Sequence, residues 1–318
     1  MNKVAWIFPG QASQYVGMAS DLHSDFQQAG ELFNRAEEVL GFDLKEVCFN
    51  GPNQVLIQTR YTQPAIFVHS CILNSILKEK GLKKDFVAGH SLGEYSALVS
   101  SGALDFESAL EAVKYRSQFM QEACDQNKGT MAAVMGMELE EVQQVLEKVE
   151  GATSANYNSP GQVAISGEVE AVQKAGEALL SAGAKRVIPL KVGGAYHSPL
   201  MEPARGKMEK VLEDLNFSRF SVPVIANVSA EAVTDGDTMR QMLSRQITSA
   251  VLWYPSLRRM VELGVNTFIE VGPGKVLQGL VKRSFPPKGD EPLSEEKLRA
   301  LGVDRSEDLE ALEQSLQK

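Results

Sequence analysis

The sequence contains little cysteine and little histidine, and both shortages exclude classes of protein. Its three cysteines, Cys48, Cys71 and Cys124, have no close spacing, so they form neither a zinc motif nor a C-x-x-C redox pair. Three cysteines cannot all pair within one chain, and a reduced, cytoplasmic setting is the simpler expectation. The four histidines leave few candidates for any reaction that needs an imidazole.

Long apolar runs and an excess of positive charge are also missing. No apolar stretch approaches the roughly 20 residues that a membrane-spanning helix needs, and residues 4–8 are too few for a signal-peptide core. We therefore expect a cytoplasmic protein that does not bind membranes. The formal net charge of −9 argues against nucleic acid as the main ligand, because a polyanion requires clustered Lys and Arg.

The sequence does contain an alternation of short apolar strands and amphipathic helices. Residues 4–8 and 85–89 are predicted to be buried strands; Pro9-Gly10 ends the first, and good helix formers follow the second closely. Residues 222–227 and 267–271 are predicted to be later strands of the same kind. This alternation predicts an α/β protein with a parallel sheet.

The middle of the chain has a different order of predicted strands and helices. Strand-like residues 130–135, 153–157, 162–166 and 185–190 alternate with helical patterns in the order βαββαβ, which is typical of a ferredoxin-like unit. We predict a large domain formed by residues 1–127 and 196–284, with a small ferredoxin-like domain, residues 128–195, inserted into it. Residues 285–318 are predicted to be a linker and an acidic C-terminal tail, since they contain nine Asp or Glu and five Lys or Arg.

The segment Gly89-His90-Ser91-Leu92-Gly93 fits the nucleophile-elbow pattern G-x-S-x-G between a strand and a helix. The two glycines allow a sharp turn that exposes the hydroxyl of Ser91. The main-chain N–H of Leu92 and the helix N-terminus then face any oxyanion formed there. The pattern predicts an α/β-hydrolase-like large domain with Ser91 as its nucleophile; an incidental serine in a glycine-rich turn is the alternative.

A nucleophilic serine needs a base, and the histidines can be compared one by one. His23 and His69 lie within helical patterns, and His90 precedes Ser91 and would project away from it. His197 stands in a glycine-rich loop where the chain re-enters the large domain, a usual place for catalytic side chains. His197 is therefore the predicted base, with a structural loop histidine as the alternative.

Three segments together resemble one family. Residues 8–14 (FPGQASQ), 89–95 (GHSLGEY) and 196–199 (YHSP) are similar to the malonyl-CoA:acyl-carrier-protein transacylases, and also to the acyltransferase domains of fatty-acid and polyketide synthases. The resemblance covers about residues 1–284, and the family's small subdomain corresponds to the predicted insertion. It implies a ping-pong transfer of a malonyl group from malonyl-CoA to the phosphopantetheine thiol of acyl carrier protein, in fatty-acid or polyketide synthesis.

The resemblance also implies roles for individual residues. Ser91 would be the nucleophile and His197 the base, and the main-chain N–H groups of Gln11 and Leu92 would form the oxyanion hole. The main-chain carbonyl of Gln246 would orient the histidine, where hydrolases use an acidic residue. Arg116 would bind the malonyl carboxylate, for which a guanidinium is chemically suited because it can form two parallel hydrogen bonds.

Expectations about partners follow from the same resemblance. The CoA thioester is a substrate, and no cofactor or metal is expected. We expect a monomer that docks an acidic carrier protein at a local basic rim, whose candidates on charge alone are Lys185, Arg186, Lys191, Arg258, Arg259, Lys275, Lys282 and Arg283.

Two other functions remain open from the sequence. A serine thioesterase or esterase of acyl-CoA would share the elbow and the histidine but would use an acidic third residue and would not need Arg116. A non-catalytic module that binds acyl-CoA or a carrier protein would use the same cleft without forming an acyl-serine. Separately, Gly272-Pro273-Gly274-Lys275 lacks the spacing of a phosphate loop and is predicted to be a turn.

Overall fold

The computed structural model describes residues 3–286 and 298–317. The strands in these residues are β1 (Lys3–Phe8), β2 (Phe86–Gly89), β3 (Gly129–Met135), β4 (Ala152–Ser159), β5 (Gln162–Glu168), β6 (Arg186–Pro189), β7 (Val224–Ile225), β8 (Ala232–Val233), β9 (Val265–Val271) and β10 (Arg299–Val303).

Fourteen α-helices lie between and beside these strands in the described residues. They are α1 (Ser20–Asp25), α2 (Gln27–Leu40), α3 (Leu44–Phe49), α4 (Asn53–Leu56), α5 (Thr59–Glu79), α6 (Gly93–Ser101), α7 (Phe106–Gln126), α8 (Leu139–Leu146), α9 (Val169–Ser181), α10 (Glu202–Glu213), α11 (Gly236–Gln246), α12 (Trp253–Glu262), α13 (Val276–Ser284) and α14 (Asp308–Leu316), with a short 3₁₀ turn at Pro199–Met201. In the described part of the chain, none of them is long and apolar enough to cross a membrane.

The large sheet has the strand order β10-β9-β1-β2-β7-β8, and every pair in it is parallel except β7–β8. Strand β1 is buried on both faces, because Trp6 and Phe8 join one hydrophobic cluster while Ala5 and Ile7 join another. The carboxyl ends of β1, β2 and β9 therefore meet at one edge of the sheet. The prediction of an α/β protein with a parallel sheet is confirmed.

The small sheet has the order β4-β5-β3-β6, its pairs are antiparallel, and it packs helices α8 and α9 around a cluster of its own. This is the arrangement that βαββαβ predicts for a ferredoxin-like unit. The boundaries of the insertion at residues 128 and 195 remain a prediction.

One pair of main-chain hydrogen bonds joins strand β4 to the large part of the molecule. The N–H of Tyr157 donates to the carbonyl of Val251 at 2.8 Å, and the N–H of Val251 donates to the carbonyl of Ala155 at 2.9 Å. Strand β4 therefore continues its main-chain pairing beyond the small sheet, at a point where Asn156 and Asn158 face the cleft between the two sheets.

The C-terminal region differs from its prediction as a linker and an acidic tail. The proline-rich segment lies within residues 287–297, outside the described residues. Beyond it, β10 extends the large sheet next to β9, and α14 buries Leu309 and Leu312 against the main core. The helical spacing of Leu309, Leu312 and Leu316 in this segment agrees with α14, although Leu309 and Leu312 are buried and not on the surface. The strand at residues 299–303 was not predicted, because its pairing with β9 is a long-range contact and a short segment containing Arg299 and Gly302 has no local strand signal.

Candidate active site

The elbow forms where β2 ends and α6 begins. A Cβ atom at Gly89 would lie 1.8 Å from the carbonyl carbon of Gly93, and one at Gly93 would lie 2.1 Å from the carbonyl oxygen of Phe8. Only glycine fits at these two positions. Ser91 sits between them in the left-handed region with φ 52°, an unfavourable conformation for a residue with a Cβ. The turn thus holds the Ser91 side chain at the carboxyl edge of the sheet.

The structure brings Ser91 and His197 into contact. The Oγ of Ser91 lies 2.8 Å from Nε2 of His197, and Nδ1 of His197 lies 2.8 Å from the main-chain carbonyl of Gln246. Because a carbonyl oxygen can only accept, Nδ1 carries the proton and Nε2 presents a lone pair to the serine. Burial, and then the positive charge of Arg116, lower the pKa of His197 from 6.5 to about 3. The imidazole is therefore neutral at physiological pH and able to accept a proton.

Arg116, in the middle of α7, is fully buried beside the serine. Its three hydrogen bonds reach neutral oxygens: Nη1 donates to Oε1 of Gln63 at 2.7 Å, and Nη2 donates to Oε1 of Gln246 at 2.9 Å and to Oγ of Ser91 at 3.0 Å. Burial lowers the pKa of Arg116, although a guanidinium stays charged in proteins. The site thus holds a buried positive charge within hydrogen-bonding distance of the nucleophile.

Gln11 lies in the loop after β1, and Leu92 lies at the start of α6, directly after the serine. Both line the same cleft as Ser91. Neither main-chain N–H has a hydrogen-bond acceptor among residues 3–286 and 298–317. These two N–H groups are therefore available to an oxygen atom placed in the cleft.

The cleft has a volume of about 260 Å³ and lies between the two sheets. Its small-sheet wall includes Met131, Asn158 and Leu190, and α13 contributes Leu280. The amide oxygen of Asn158 lies 3.0 Å from Nε2 of His90, so the residue before the nucleophile is tied to the small sheet and does not approach the serine hydroxyl.

Three polar side chains of the site were not predicted from the sequence. Gln63 accepts from Arg116, Asn227 accepts from the Ser91 N–H at 2.7 Å, and Glu94 accepts from the side chain of Gln246 at 2.5 Å. Of these three, only Glu94 could be singled out from the sequence, since it belongs to the segment 89–95 that carries part of the family resemblance. Glutamine and asparagine are common surface residues, and nothing in their spacing indicated this site.

The candidate basic residues fall at three places, and the first pair, Lys185 and Arg186, is exposed at the start of β6 on the small sheet. Lys191 and Lys275 are exposed and adjoin residues that line the cleft, and Lys282 and Arg283 are exposed on α13. Arg258 and Arg259 line a different cleft, where their side chains lie 3.7 Å and 3.5 Å from the carboxylate of Glu262.

Within the described residues, no group of three or more His, Cys, Asp or Glu could hold a metal ion.

A strained elbow serine contacting a histidine at the carboxyl edge of a parallel sheet defines an enzyme that transfers acyl groups through a serine, a class that includes both hydrolases and acyltransferases. In agreement, the family model described as "Acyl transferase domain" matches residues 5–300. The chain is 45% identical over 287 residues to a malonyl CoA-acyl carrier protein transacylase of Bacillus subtilis, covering 89% of this chain and 90% of the relative. It is 43% identical to one of Escherichia coli K12, covering 89% and 93%.

Solved structures give the same result. A malonyl-transacylase in complex with its type II PKS acyl-carrier protein superposes with a TM-score of 0.91 at 38% identity, covering 98% of this chain and 100% of that one. An acyl carrier protein S-malonyltransferase from Vibrio cholerae gives the same TM-score at 39% identity, with the same coverage. The chain belongs to the malonyl CoA-acyl carrier protein transacylase family.

Proposed function

We propose that this protein transfers a malonyl group from malonyl-CoA to the phosphopantetheine thiol of an acyl carrier protein through a malonyl ester of Ser91. The observation that carries the proposal is the position of the Ser91 Oγ, 2.8 Å from the Nε2 of His197 and 3.0 Å from the Nη2 of Arg116. One oxygen thus has a base and a buried cation beside it, as transfer of a carboxylated acyl group requires. The family supports the same function.

In the first half-reaction, Nε2 of His197 takes the proton of Ser91 while Oγ attacks the thioester carbonyl carbon. The N–H groups of Gln11 and Leu92 stabilise the oxyanion, and the carbonyl of Gln246 stabilises the imidazolium. When the carbon–sulfur bond breaks, His197 returns the proton to the sulfur and CoA leaves as the thiol. In the second half-reaction, His197 takes the proton of the carrier thiol, the sulfur attacks the ester, and Ser91 regains its proton.

Arg116 selects the acyl group in this proposal. A malonyl carboxylate can replace the neutral oxygens to which Arg116 donates. Hydrogen bonds between charged groups contribute about 1.5–3 kcal/mol, and an acetyl group forms none with a guanidinium. The difference favours malonyl over acetyl by roughly one to two orders of magnitude.

The carrier protein docks, in this proposal, against the cations next to the cleft. Lys191, Lys275, Lys282 and Arg283 are exposed there, whereas Arg258 and Arg259 lie at the other cleft among glutamates. An acidic partner would be steered to this side, and its transfer rate would fall as salt screens the charges. The protein would act as a cytoplasmic monomer without a resident cofactor, since CoA and the carrier's prosthetic group are both substrates.

Intact-protein mass spectrometry tests the proposal. After incubation with malonyl-CoA, the wild-type protein should gain one malonyl group, and addition of holo carrier protein should remove it and yield malonyl-carrier. Ser91→Ala should gain none. Persistence of the adduct in Ser91→Ala would assign the nucleophile elsewhere, and release of free malonate at the same rate with and without carrier protein would indicate a thioesterase.

A further inference from the structure

Among the described residues, no carboxylate contacts the buried guanidinium of Arg116 directly, and a glutamine separates it from the acidic side chain in its hydrogen-bond network. Gln246 accepts from Nη2 of Arg116 through Oε1 at 2.9 Å and donates from Nε2 to Oε2 of Glu94 at 2.5 Å. Glu94 is fully buried in the first turn of α6. A single side-chain amide therefore bridges a buried positive charge and a buried carboxylate.

The charges at the two ends fix the direction of this amide. A guanidinium can only donate and an ionised carboxylate can only accept, so Gln246 must turn its oxygen to Arg116 and its nitrogen to Glu94. The main chain of the same residue accepts the hydrogen bond from His197. The orientation of Gln246 thus bears on both the base and the cation of the site.

A second branch connects Glu94 to the elbow. Oε1 of Glu94 accepts from the main-chain N–H of Asn227 at 2.7 Å. The side chain of Asn227 in turn accepts from the N–H of Ser91 and donates to the carbonyl of Gly89, both at 2.7 Å. Both oxygens of Glu94 therefore contact residues that hold the strained turn or the arginine.

We propose that Glu94 is a positioning residue for substrate selection: its carboxylate is the internal counter-charge of Arg116 and holds the guanidinium, through Gln246, ready for the substrate's carboxylate. The inference rests on the proposed function and extends it. Without this charge, the amide nitrogen of Gln246 keeps only a neutral acceptor, the main-chain carbonyl of Ser91 at 2.9 Å, and the amide can rotate to present N–H groups to Arg116, which repels the cation. Selection of a carboxylated acyl group depends on Glu94 in this proposal, whereas attack by Ser91 on a neutral substrate depends on it less.

The charged and titratable groups around Glu94 come from three elements. Arg116 faces it from α7, Tyr95 follows it on α6, and His197 lies beyond Gln246 in the loop after β6. Burial raises the pKa of Glu94 to about 7, while its hydrogen bonds and Arg116 oppose this rise. Because His197 stays neutral in this range, acylation by malonyl-CoA should increase as the pH rises through about 7, whereas acylation by acetyl-CoA should change less.

The test compares Glu94→Gln with Glu270→Gln. Glu270 is also fully buried, and both its oxygens accept main-chain N–H groups at the start of α13, away from Arg116. It therefore controls for the loss of a buried carboxylate. In Glu94→Gln, the ratio of malonyl-CoA to acetyl-CoA acylation rates should fall at least about tenfold and lose its dependence on pH. In Glu270→Gln the ratio of the two acylation rates and its dependence on pH should remain as in the wild type.

An equal loss of both acylation rates in Glu94→Gln, with the ratio unchanged, would overturn the proposal, since it would indicate a purely structural role. If Glu94→Gln does not fold, Gln246→Leu interrupts the same bridge and keeps the main-chain carbonyl; the proposal then requires the same fall in the ratio. An unchanged ratio in that variant contradicts it.

A third measurement separates this proposal from the function it rests on. Free malonate should slow the labelling of wild-type Ser91 by an uncharged fluorophosphonate, because its carboxylate occupies Arg116 without any transfer. The protection should be lost in Glu94→Gln and kept in Glu270→Gln. Failure of transfer with protection intact would reject the proposed function alone, whereas equal protection in Glu94→Gln would reject the role of Glu94.

Discussion

Strands β2 and β9 pair with β1 on its two sides. Each ends at the same edge of the sheet and is followed by a tight turn and a helix, but only the turn after β2 carries reactive groups. At the β2–α6 turn the residue in the left-handed region is Ser91. At the β9–α13 turn the positive φ angles belong to Gly272 and Gly274. The backbone of the second turn is not strained, because glycine adopts positive φ without a Cβ clash. This turn carries no nucleophile, in agreement with its prediction as a simple turn.

The N-termini of α6 and α13, the helices that follow these two turns, differ in whether an internal carboxylate accepts their N–H groups. Glu270, at the end of β9, accepts from the N–H groups of Leu277 and Gln278 at 3.0 Å and 2.9 Å, so the start of α13 is already capped by an internal carboxylate. At the start of α6 the buried Glu94 accepts from Asn227 and Gln246 instead, and the N–H of Leu92 has no acceptor among the described residues. The same strand–turn–helix unit can bind an external oxyanion only where no internal acceptor occupies its N–H groups.

The largest expected effect contrasts the two turns directly. Ser91→Ala should lower malonyl transfer at least about 10³-fold, because removal of a nucleophile leaves only binding and the oxyanion hole. Pro273→Ala, at the other turn, should change the rate less than about twofold. Transfer rates with holo carrier protein measure both. A large loss in Pro273→Ala would show that the second turn takes part in the reaction.

The next effect concerns the cation near each turn. Arg116→Ala should lower acylation of Ser91 by malonyl-CoA about 10²-fold, since the substrate carboxylate loses its partner. Acylation by acetyl-CoA should be retained. Lys275→Ala, beside the second turn, should leave both acylation rates unchanged in the absence of carrier protein. Equal losses of malonyl and acetyl acylation in Arg116→Ala would contradict its role in selection.

A smaller effect is expected in the pH dependence of stability. Burial raises the pKa of Glu270 from 4.5 to about 7, so in this range the folded protein binds more protons than the unfolded one. The contribution of Glu270 to the free energy of unfolding therefore falls as the pH rises from about 4.5 to about 7. Glu270→Gln should remove this contribution, which denaturant titrations at pH 5 and pH 8 would detect as a weaker pH dependence. An unchanged dependence would exclude Glu270 as its source.

The smallest effect isolates backbone strain. Ser91→Gly should be more stable than Ser91→Ala by about 1 kcal/mol, because neither has the hydroxyl and only alanine keeps a Cβ at positive φ. Gly274→Ala should be less stable than the wild type by a similar amount, since φ is 83° there. Thermal unfolding measures both differences. If alanine and glycine were equally stable at position 91, the turn would not be strained.

Groups whose chemistry depends on residue type and local pattern can be predicted from the sequence. The G-x-S-x-G spacing indicated the elbow around Ser91, and the short supply of histidine directed attention to His197. The alternation of strands and helices predicted both sheets. Arg116 and the carbonyl of Gln246 came only from the family resemblance, because a main-chain oxygen has no residue type and an arginine on an amphipathic helix is ordinary.

Other features depend on contacts between distant segments and have no local signal. Asn227 lies 136 residues after Ser91 and contacts it only because β7 pairs with β2. Strand β10 was missed for the same reason: its partner is β9, and its composition is not that of a buried strand. Of the predicted strand at residues 222–227, only Val224–Ile225 pairs as a strand, since its neighbours turn to bring Asn227 to the elbow.

Two main-chain hydrogen bonds join β4 to Val251 and anchor the small sheet to the rest of the molecule beside the cleft. The small sheet cannot separate from the large one at this point without breaking both of them. Ser91, His197 and Gln246 are hydrogen-bonded to one another and not to β4. The contacts among nucleophile, base and orienting carbonyl are therefore independent of the bonds that attach the opposite wall of the cleft.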